Sequence, residues 1–578
     1  MEFEDVIDKL GGYGRFQRLL VWAYLAPASV LMPGYFMNQI FMLSVPKHSC
    51  VLPDLAATFN LSEIRQPEIL RQFLVTDDEC STYALDSMNA SLVNGLLSAA
   101  DFANMRSNVS RLFEIHGVEK VACTEFAYDD THYESTASTQ WDLVCERAHL
   151  PSLVFTLGSV GSAVGTVLLG TLSDRIGRKP VFILTVFIAT VFGLSSILVT
   201  NFIAFAVLRL VNAGVMPQIF QLPYIILLEL VGPNQRTLML GVCCIAWTVG
   251  LCILPLIAYL ARSWILLGLI CSACAIPNLF YYKLIPESPR WLLSQNRIKD
   301  TMAILNRIAK TNGVEPPEDL ASDLVKVQKK IAEEKEVAAA STFDLFRKAR
   351  IRKNLIIITV SWMANSCAYY GLHINVTNMS GNEFLNFFLL GLVEFPASVV
   401  GWWTMEYFGR RWTNVALQLM VSVACVASCF IPIEATVAGV TASLVAKFAC
   451  SASFMIMYQQ AAEVMPTPLR SFALGASSAF SSAFSICMPY IIYLGRYGNW
   501  IPFLFLAVLA AAAGVSAAWL PETNGYVLCQ TIEDAEDFGK TQKFFSLNRV
   551  NDKKKGFEKG DCKEKEMEPM AKSTDAKV

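Results

Sequence analysis

The sequence predicts an all-α membrane protein, with twelve spanning helices arranged as two similar six-helix bundles. Three observations predict it. Of 578 residues, 54% are apolar and only 17% charged, where a soluble chain carries roughly 25% charged residues. The apolar residues also come in blocks about 20 long, the length an α-helix needs to cross hydrocarbon. Finally, the chain repeats itself. Gly170-Thr-Leu-Ser-Asp174-Arg175-Ile-Gly177-Arg178-Lys179 is echoed by Glu406-Tyr-Phe-Gly409-Arg410-Arg411, and Pro286-Glu287 by Pro521-Glu522. Glu229 stands seven residues before Arg236, as Glu463 does before Arg470. A duplication in so apolar a chain means two bundles facing each other, the plan of a transporter.

The blocks run 18–43, 150–172, 180–199, 202–228, 236–260, 264–284, 353–375, 383–405, 413–431, 435–462, 470–495 and 500–520. The first has no small-residue cleavage site and is expected to be retained rather than removed as a signal peptide. Lys and Arg near helix ends mark the cytoplasm. Lys9, Arg15 and Arg18, then Arg175, Arg178 and Lys179, then Arg290, Arg297, Lys299 and the stretch 347–353, then Arg410, Arg411 and Lys553-Lys554-Lys555 all fall on one side of twelve spans. The expected organisation is a cytoplasmic N-terminus (1–17), span 1 (18–43), an extracellular cap loop (44–148), and spans 2–6 (149–284). A cytoplasmic central loop (285–352), spans 7–12 (353–520) and a cytoplasmic tail (521–578) follow. Asp319 to Val337 in the central loop favours helix, and the charged tail favours disorder.

The loop 44–148 is polar, acidic and far longer than the other outside loops. It carries Cys50, Cys80, Cys123 and Cys145, which in an oxidising compartment form two disulfides in one of three pairings. It also carries three glycosylation sequons, at Asn60, Asn89 and Asn108.

Gly-x-x-x-Asp-Arg-x-Gly-Arg-Lys between spans 2 and 3 resembles the loop signature of the major facilitator superfamily. Gly170 is expected to allow close helix approach and Gly177 a tight turn, with Asp174 and the arginines as a charge cluster. Gly12-Tyr-Gly14-Arg-Phe-Gln17, Val45-Pro46-Lys-His48-Ser-Cys50, Gln140-Trp141-Asp142-Leu-Val-Cys145 and Pro286-Glu-Ser-Pro-Arg290-Trp-Leu-Leu293 narrow the likeness. Together with the cap loop they resemble the organic cation, anion and zwitterion transporters of solute carrier family 22. Many cation-transporting members have six loop cysteines, and this chain has four.

Ionisable groups inside spans are costly and need a reason. Glu394, in Leu-Val-Glu394-Phe-Pro396 of span 8, has two readings. It faces a central cavity and offsets a solute's positive charge, as the resemblance implies, or it pairs with Lys447 or a backbone donor and holds helices together. Where cation carriers of the family have Asp and anion or carnitine carriers have Arg in span 11, this chain has Ser482. Its neighbours Ser477, Ser478, Ser481 and Ser485 either solvate a small polar solute or permit tight packing. Tyr369, Tyr370 and Trp362 of span 7, Phe220 and Tyr224 of span 4, and Tyr458 of span 10 are candidates for an aromatic box, which holds an ammonium by cation–π attraction. Their alternative is packing against lipid or other helices. Gln459 and Gln460 form an unusual polar pair in span 10, with Asn365 and Asn38 as weaker cases, and Arg209 and Lys447 occupy matching places in the two halves.

Asp174, Arg175, Arg178, Glu229, Arg236, Glu406, Arg410, Glu463 and Arg470 are expected at the cytoplasmic ends. The pairs Glu229/Arg236 and Glu463/Arg470 read as gate salt bridges or as permanent helix-end caps. No phosphate loop, nucleotide domain, metal cluster or cofactor motif is legible, so the chain reads as no enzyme and no nucleic-acid binder. The expected function is alternating-access transport of a small organic cation or zwitterion, such as a carnitine-like or amino-acid-derived solute, across the plasma membrane. The alternatives are an organic-anion carrier, a sugar porter or a non-transporting receptor. The lipid bilayer and the solute are the partners expected; the sequence sets no oligomeric state.

Overall fold

The computed structural model describes residues 3–51, 80–83, 120–341, 347–432, 434–524, 532–540, 542 and 544. Twelve helical stretches among them are long and apolar enough to cross a membrane. They are Arg15–Met42, Cys145–Ile176, Arg178–Leu198, Phe202–Glu229, Leu238–Ala261, Trp264–Lys283, Ala349–Asn378, Glu383–Phe408, Arg410–Phe430, Thr436–Val464, Phe472–Arg496 and Trp500–Ala517, spans 1 to 12 below. Each expected block holds one of them. In the first bundle span 4 packs on spans 2 and 3, and span 1 on span 5; in the second, span 9 packs on spans 10 and 12, and span 7 on spans 11 and 12. The halves meet where span 5 lies on span 8 and span 2 on span 11.

The repeated motifs build the same joint twice. Gly177 and Gly409 take φ of +109° and +90°, which a Cβ disfavours, and each ends one span and opens the next. The first amides of a helix lack intrahelical acceptors and carry the positive end of its dipole. Glu287, from the Pro-Glu after span 6, accepts from the backbone N–H of Arg178 at 3.0 Å and of Lys179 at 3.2 Å. Glu522, from the Pro-Glu after span 12, accepts from those of Arg410 and Arg411 at 2.9 and 3.1 Å. The close approach expected at Gly170 lies elsewhere. A Cβ on Gly170 would meet only Gln218 Nε2, at 4.0 Å, whereas one on Gly165 would fall 1.9 Å from the carbonyl oxygen of Gly214.

The long loop joins spans 1 and 2 at one end, called here the loop end; the segment linking spans 6 and 7 marks the opposite, linker end. Disulfides Cys50–Cys123 and Cys80–Cys145 select one of the three pairings. Each lies beside a short antiparallel pairing, His48–Cys50 with Phe126–Tyr128 and Ser81–Tyr83 with Lys120–Ala122. Trp141 fastens the loop to the first bundle: its indole donates to the Thr200 carbonyl at 2.7 Å and its rings pack on Phe205 and Trp264. The sequons at Asn60, Asn89 and Asn108, and Lys553-Lys554-Lys555 of the tail, lie outside the described residues.

Among the described residues, side-chain hydrogen bonds between the spans of the two halves lie toward the loop end. Ser44 donates to Glu383 at 3.1 Å, Thr156 to the Ile486 carbonyl at 3.3 Å, and the Trp247 indole to the Tyr369 hydroxyl at 2.9 Å. Phe41 stacks on Phe384 beside them. At the linker end lie helices Pro289–Ser294, Ile298–Asn312 and Leu320–Ser341. The N-terminal helix Phe3–Lys9 docks on the last of these, with Lys9 Nζ 2.8 Å from Asp323.

Candidate functional site

Span 8 is broken. One helix runs Glu383–Leu392 and a second Glu394–Phe408, with Glu394 as its first residue. Pro396 explains the break, because it has no N–H to return to the Leu392 carbonyl and its ring crowds that turn. The break sets Glu394, 7% exposed, toward the middle of span 10, where Lys447 is fully buried. The Lys447 ammonium is 2.7 Å from Glu394 Oε1 and stands 3.1 Å from the centre of the Tyr369 ring. It is also 3.4 Å from His373 Nδ1, which in turn lies 3.0 Å from the Tyr369 carbonyl one turn back. Tyr369 accepts from the Trp247 indole of span 5, and Trp247 packs on Phe36 of span 1. The cluster therefore sits on the seam between the bundles.

Charges withdrawn from water lose several kcal/mol of hydration each, which their attraction offsets only with good geometry. Here a carboxylate and an aromatic face both meet the ammonium, and a good cation–π contact adds about 0.5–2 kcal/mol. The arrangement is a cage for one ammonium group, and a lysine fills it.

Aromatic rings continue from the cage toward the linker end. Tyr369 touches Tyr370 at 5.3 Å and Phe454 at 6.1 Å, Phe454 touches Tyr458 at 5.2 Å, and Tyr458 meets Trp362 edge-on at 4.4 Å. Tyr370 and Tyr458 are exposed, while Trp362 is buried. Phe220 and Tyr224 stack on each other in span 4 at 5.5 Å. Glu394, Lys447 and Tyr369 thus come together, with the other rings alongside. Sequence reasoning passed over Trp247 and His373. A tryptophan in a span needs a partner for its N–H, and His373 stands four residues after Tyr369 on the same face of span 7, so both carried a signal.

Other candidates lie apart from the cage. Ser482 is exposed and donates to the Ser478 carbonyl at 2.9 Å. Ser477 and Ser481 are buried against span 7, bonded to Thr359 and to the Trp362 carbonyl. Gln459 donates to Glu463 at 2.7 Å. Gln460 is turned into the second bundle, where Asn414, Ser453, Gln418 and Asn365 form a buried chain of hydrogen bonds with it. Arg209 is buried between spans 1, 4 and 6, away from the seam.

The ion pairs at the linker end differ from those drawn from the sequence. Glu229 pairs with Arg178 and hydrogen-bonds Ser288, while Arg236 pairs with Glu4 at 2.8 Å. Glu463 pairs with Arg410 at 3.3 Å rather than with Arg470, and Glu406 also meets Arg410, at 3.1 Å. The reason is the break between helices: Glu229 ends one helix and Arg236 belongs to the next, begun at Pro233, so the seven-residue spacing does not put them on one face. The turn arginine that opens span 3 or span 9 lies nearer. Asp174 and Arg175 are exposed and make no ion pair among the described residues, so the expected cluster does not form around them there.

A family model described as sugar (and other) transporter matches residues 119–534. The chain is 31% identical to the carcinine transporter of Drosophila melanogaster, over 94% of this chain and 80% of that one. It is 30% identical to the β-alanine transporter of the same organism, over 93% and 89%, and 30% identical to human organic cation/carnitine transporter 2, over 92% and 93%. Its fold is similar to that of the xylose transporter XylE from E. coli in an inward-open conformation, with a TM-score of 0.54 at 16% identity over 68% of this chain and 91% of that one.

Proposed function

Because this chain belongs to the sugar (and other) transporter family and, within it, to solute carrier family 22, a multi-pass membrane protein and not an enzyme, we propose that it carries a small organic cation or zwitterion across the plasma membrane by alternating access. One observation carries the reading: the ammonium of Lys447 held between Glu394 and the Tyr369 ring on the seam. A solute ammonium has the same chemistry as the group already there. The solute's amine competes with Lys447 for Glu394, and the exposed rings of Tyr370 and Tyr458 lead to the cage from the linker end. The named relatives, transporters of carcinine, β-alanine and carnitine, handle solutes of this kind.

Alternating access is supported by the position of the contacts. Among the described residues, side-chain bonds between the spans of the two halves lie toward the loop end, and Asp174 and Arg175 carry no ion pair at the linker end, where they can meet the other half when that end shuts. The excess of Lys and Arg at the linker end supports a cytoplasmic linker end with both chain termini there, and the disulfides support an extracellular loop.

The test is uptake by cells expressing the chain, with a permanent organic cation, a carnitine-like zwitterion, a β-amino acid and an organic anion, each repeated with Glu394→Gln. Uptake of an amine or ammonium solute that disappears in a variant still present at the surface supports the reading. Uptake of the anion alone, untouched by the substitution, overturns it. The anion reading needs basic residues open to solute, and its two candidates are buried: Lys447 is neutralised by Glu394, and Arg209 lies inside the first bundle.

A further inference from the structure

Arg209 is 2% exposed, two turns into span 4 from the loop end. Its Nη2 donates to the thioether of Met42 at 2.8 Å and its Nε meets no acceptor. A thioether is a weak acceptor, and the Phe205 ring 5.5 Å away offers only its face. No carboxylate contacts Arg209 among the described residues. The sequence shows why: across the helices of spans 1 to 6 the only acids are Glu146, exposed at the loop-end start of span 2, and Asp174 and Glu229 at the linker end. Lys447, its counterpart in the second half, has Glu394. Counting the same fifteen residues back from the turn glycine, from Gly409 to Glu394 and from Gly177, gives Ser162. A guanidinium keeps its charge in proteins, and a buried charge without a partner is strongly destabilising.

The surroundings suit a small anion. Gly34, Asn38 and Met42 recur every fourth residue, so they form one stripe of span 1. Cys271 of span 6 is close to both Asn38 and Arg209. Asn38 is 3% exposed and its Oδ1 meets no donor, and the amide turned over would present its N–H2 there to an anion instead. A Cβ on Gly34 would touch only Cys271 Sγ, at 3.8 Å, so this stripe leaves space that a side chain does not fill. The groups around Arg209 belong to spans 1, 4 and 6 of one bundle, away from the seam, so a counter-ion there is one small enough to enter that bundle rather than the carboxylate of a solute on the seam.

We infer that Arg209, with Asn38 and Cys271, binds one chloride ion inside the first bundle as the counter-ion of the guanidinium, in place of the weak Met42 acceptor. The site is separate from the Lys447 cage, and the first bundle holds together best when it is occupied. The experiment is the melting temperature of the full-length protein purified in detergent, titrated with sodium chloride against sodium gluconate at constant ionic strength. This readout needs no transported solute, so its result is independent of the transport reading. The expected result is a saturable rise with chloride, also given by bromide, and absent with gluconate, which is too large. Arg209→Met, with the charge removed, is expected to lose the chloride response. Where that variant does not fold, Asn38→Leu keeps the guanidinium and is expected to move the chloride midpoint upward. Equal melting in chloride and gluconate overturns the site. So does a full chloride response in Arg209→Met, or an unmoved midpoint in Asn38→Leu, since either would place the ion elsewhere.

Discussion

The carboxylate of Glu522 accepts from the backbone N–H of Arg410 at 2.9 Å, the same bond that Glu287 makes to Arg178 at 3.0 Å in the other bundle. Each acid returns from the end of its six-helix half to cap the third helix of that half. Glu287→Gln or Glu522→Gln removes the charge and one acceptor from a helix start. Each is expected to cost about 1–3 kcal/mol, the range for leaving a buried donor unsatisfied. The two joints share no partner, so the double variant should lose the sum of the single effects in thermal melts. A double variant no weaker than either single one would show that the joints are not independent.

Peptide mapping of unreduced protein should recover Cys50 with Cys123 and Cys80 with Cys145. The second bridge closes a sequence separation of 65 residues. Its removal by Cys80→Ser with Cys145→Ser should cost up to about 4 kcal/mol by the chain-entropy account. The loop's proteolytic sensitivity should rise, while Trp141 still holds its C-terminal end to the first bundle.

Lys447→Met leaves the buried carboxylate of Glu394 without its cation, and breaking such a pair costs about 3–5 kcal/mol. Without solute the variant should melt lower than the parent chain. A transported amine should restore more stability to the variant than to the parent, because it no longer competes with a tethered ammonium. Melting curves with and without the amine measure this, and equal restoration in both proteins would count against competition.

At the linker end, the Lys9 ammonium holds the Asp323 carboxyl below its usual range, against the opposing effect of burial and with help from Lys326. A carboxylate whose folded pKa is depressed contributes fully above its unfolded value, about 3.9. That contribution fades as pH falls through the lower folded value. The protection of residues 3–9 against hydrogen exchange, corrected for the intrinsic pH dependence of amide exchange, should therefore be flat from neutral pH to about 4 and fall below it. Lys9→Ala should quicken exchange already at neutral pH and remove most of the acid step.

The spans were legible because hydrocarbon allows so few solutions: an apolar block of the right length must be a helix, and a repeated turn motif marks equivalent joints. The pairing of Glu394 with Lys447 remained one of two readings, because sequence gives the depth of each residue but not the rotation of its helix. Trp247 shows the same limit more sharply, since its partner Tyr369 lies 122 residues away in the other bundle. The pairs Glu229/Arg236 and Glu463/Arg470 failed for a local reason. Equal spacing in two copies signals equal roles, and the partner in each copy proved to be the turn arginine, Arg178 or Arg410. The Pro-Glu repeat was visible without its task, since a cap is recognised only when the helix start it closes is known.

The helix Leu320–Ser341 lies against the N-terminal helix and the first two linker helices on one side and against span 11 on the other. A rod that bears on both halves limits how far they can swing apart. If the halves rock as proposed, its length and grip would bound their swing, so shortening this helix is expected to change the rate of uptake without altering which solute is taken up.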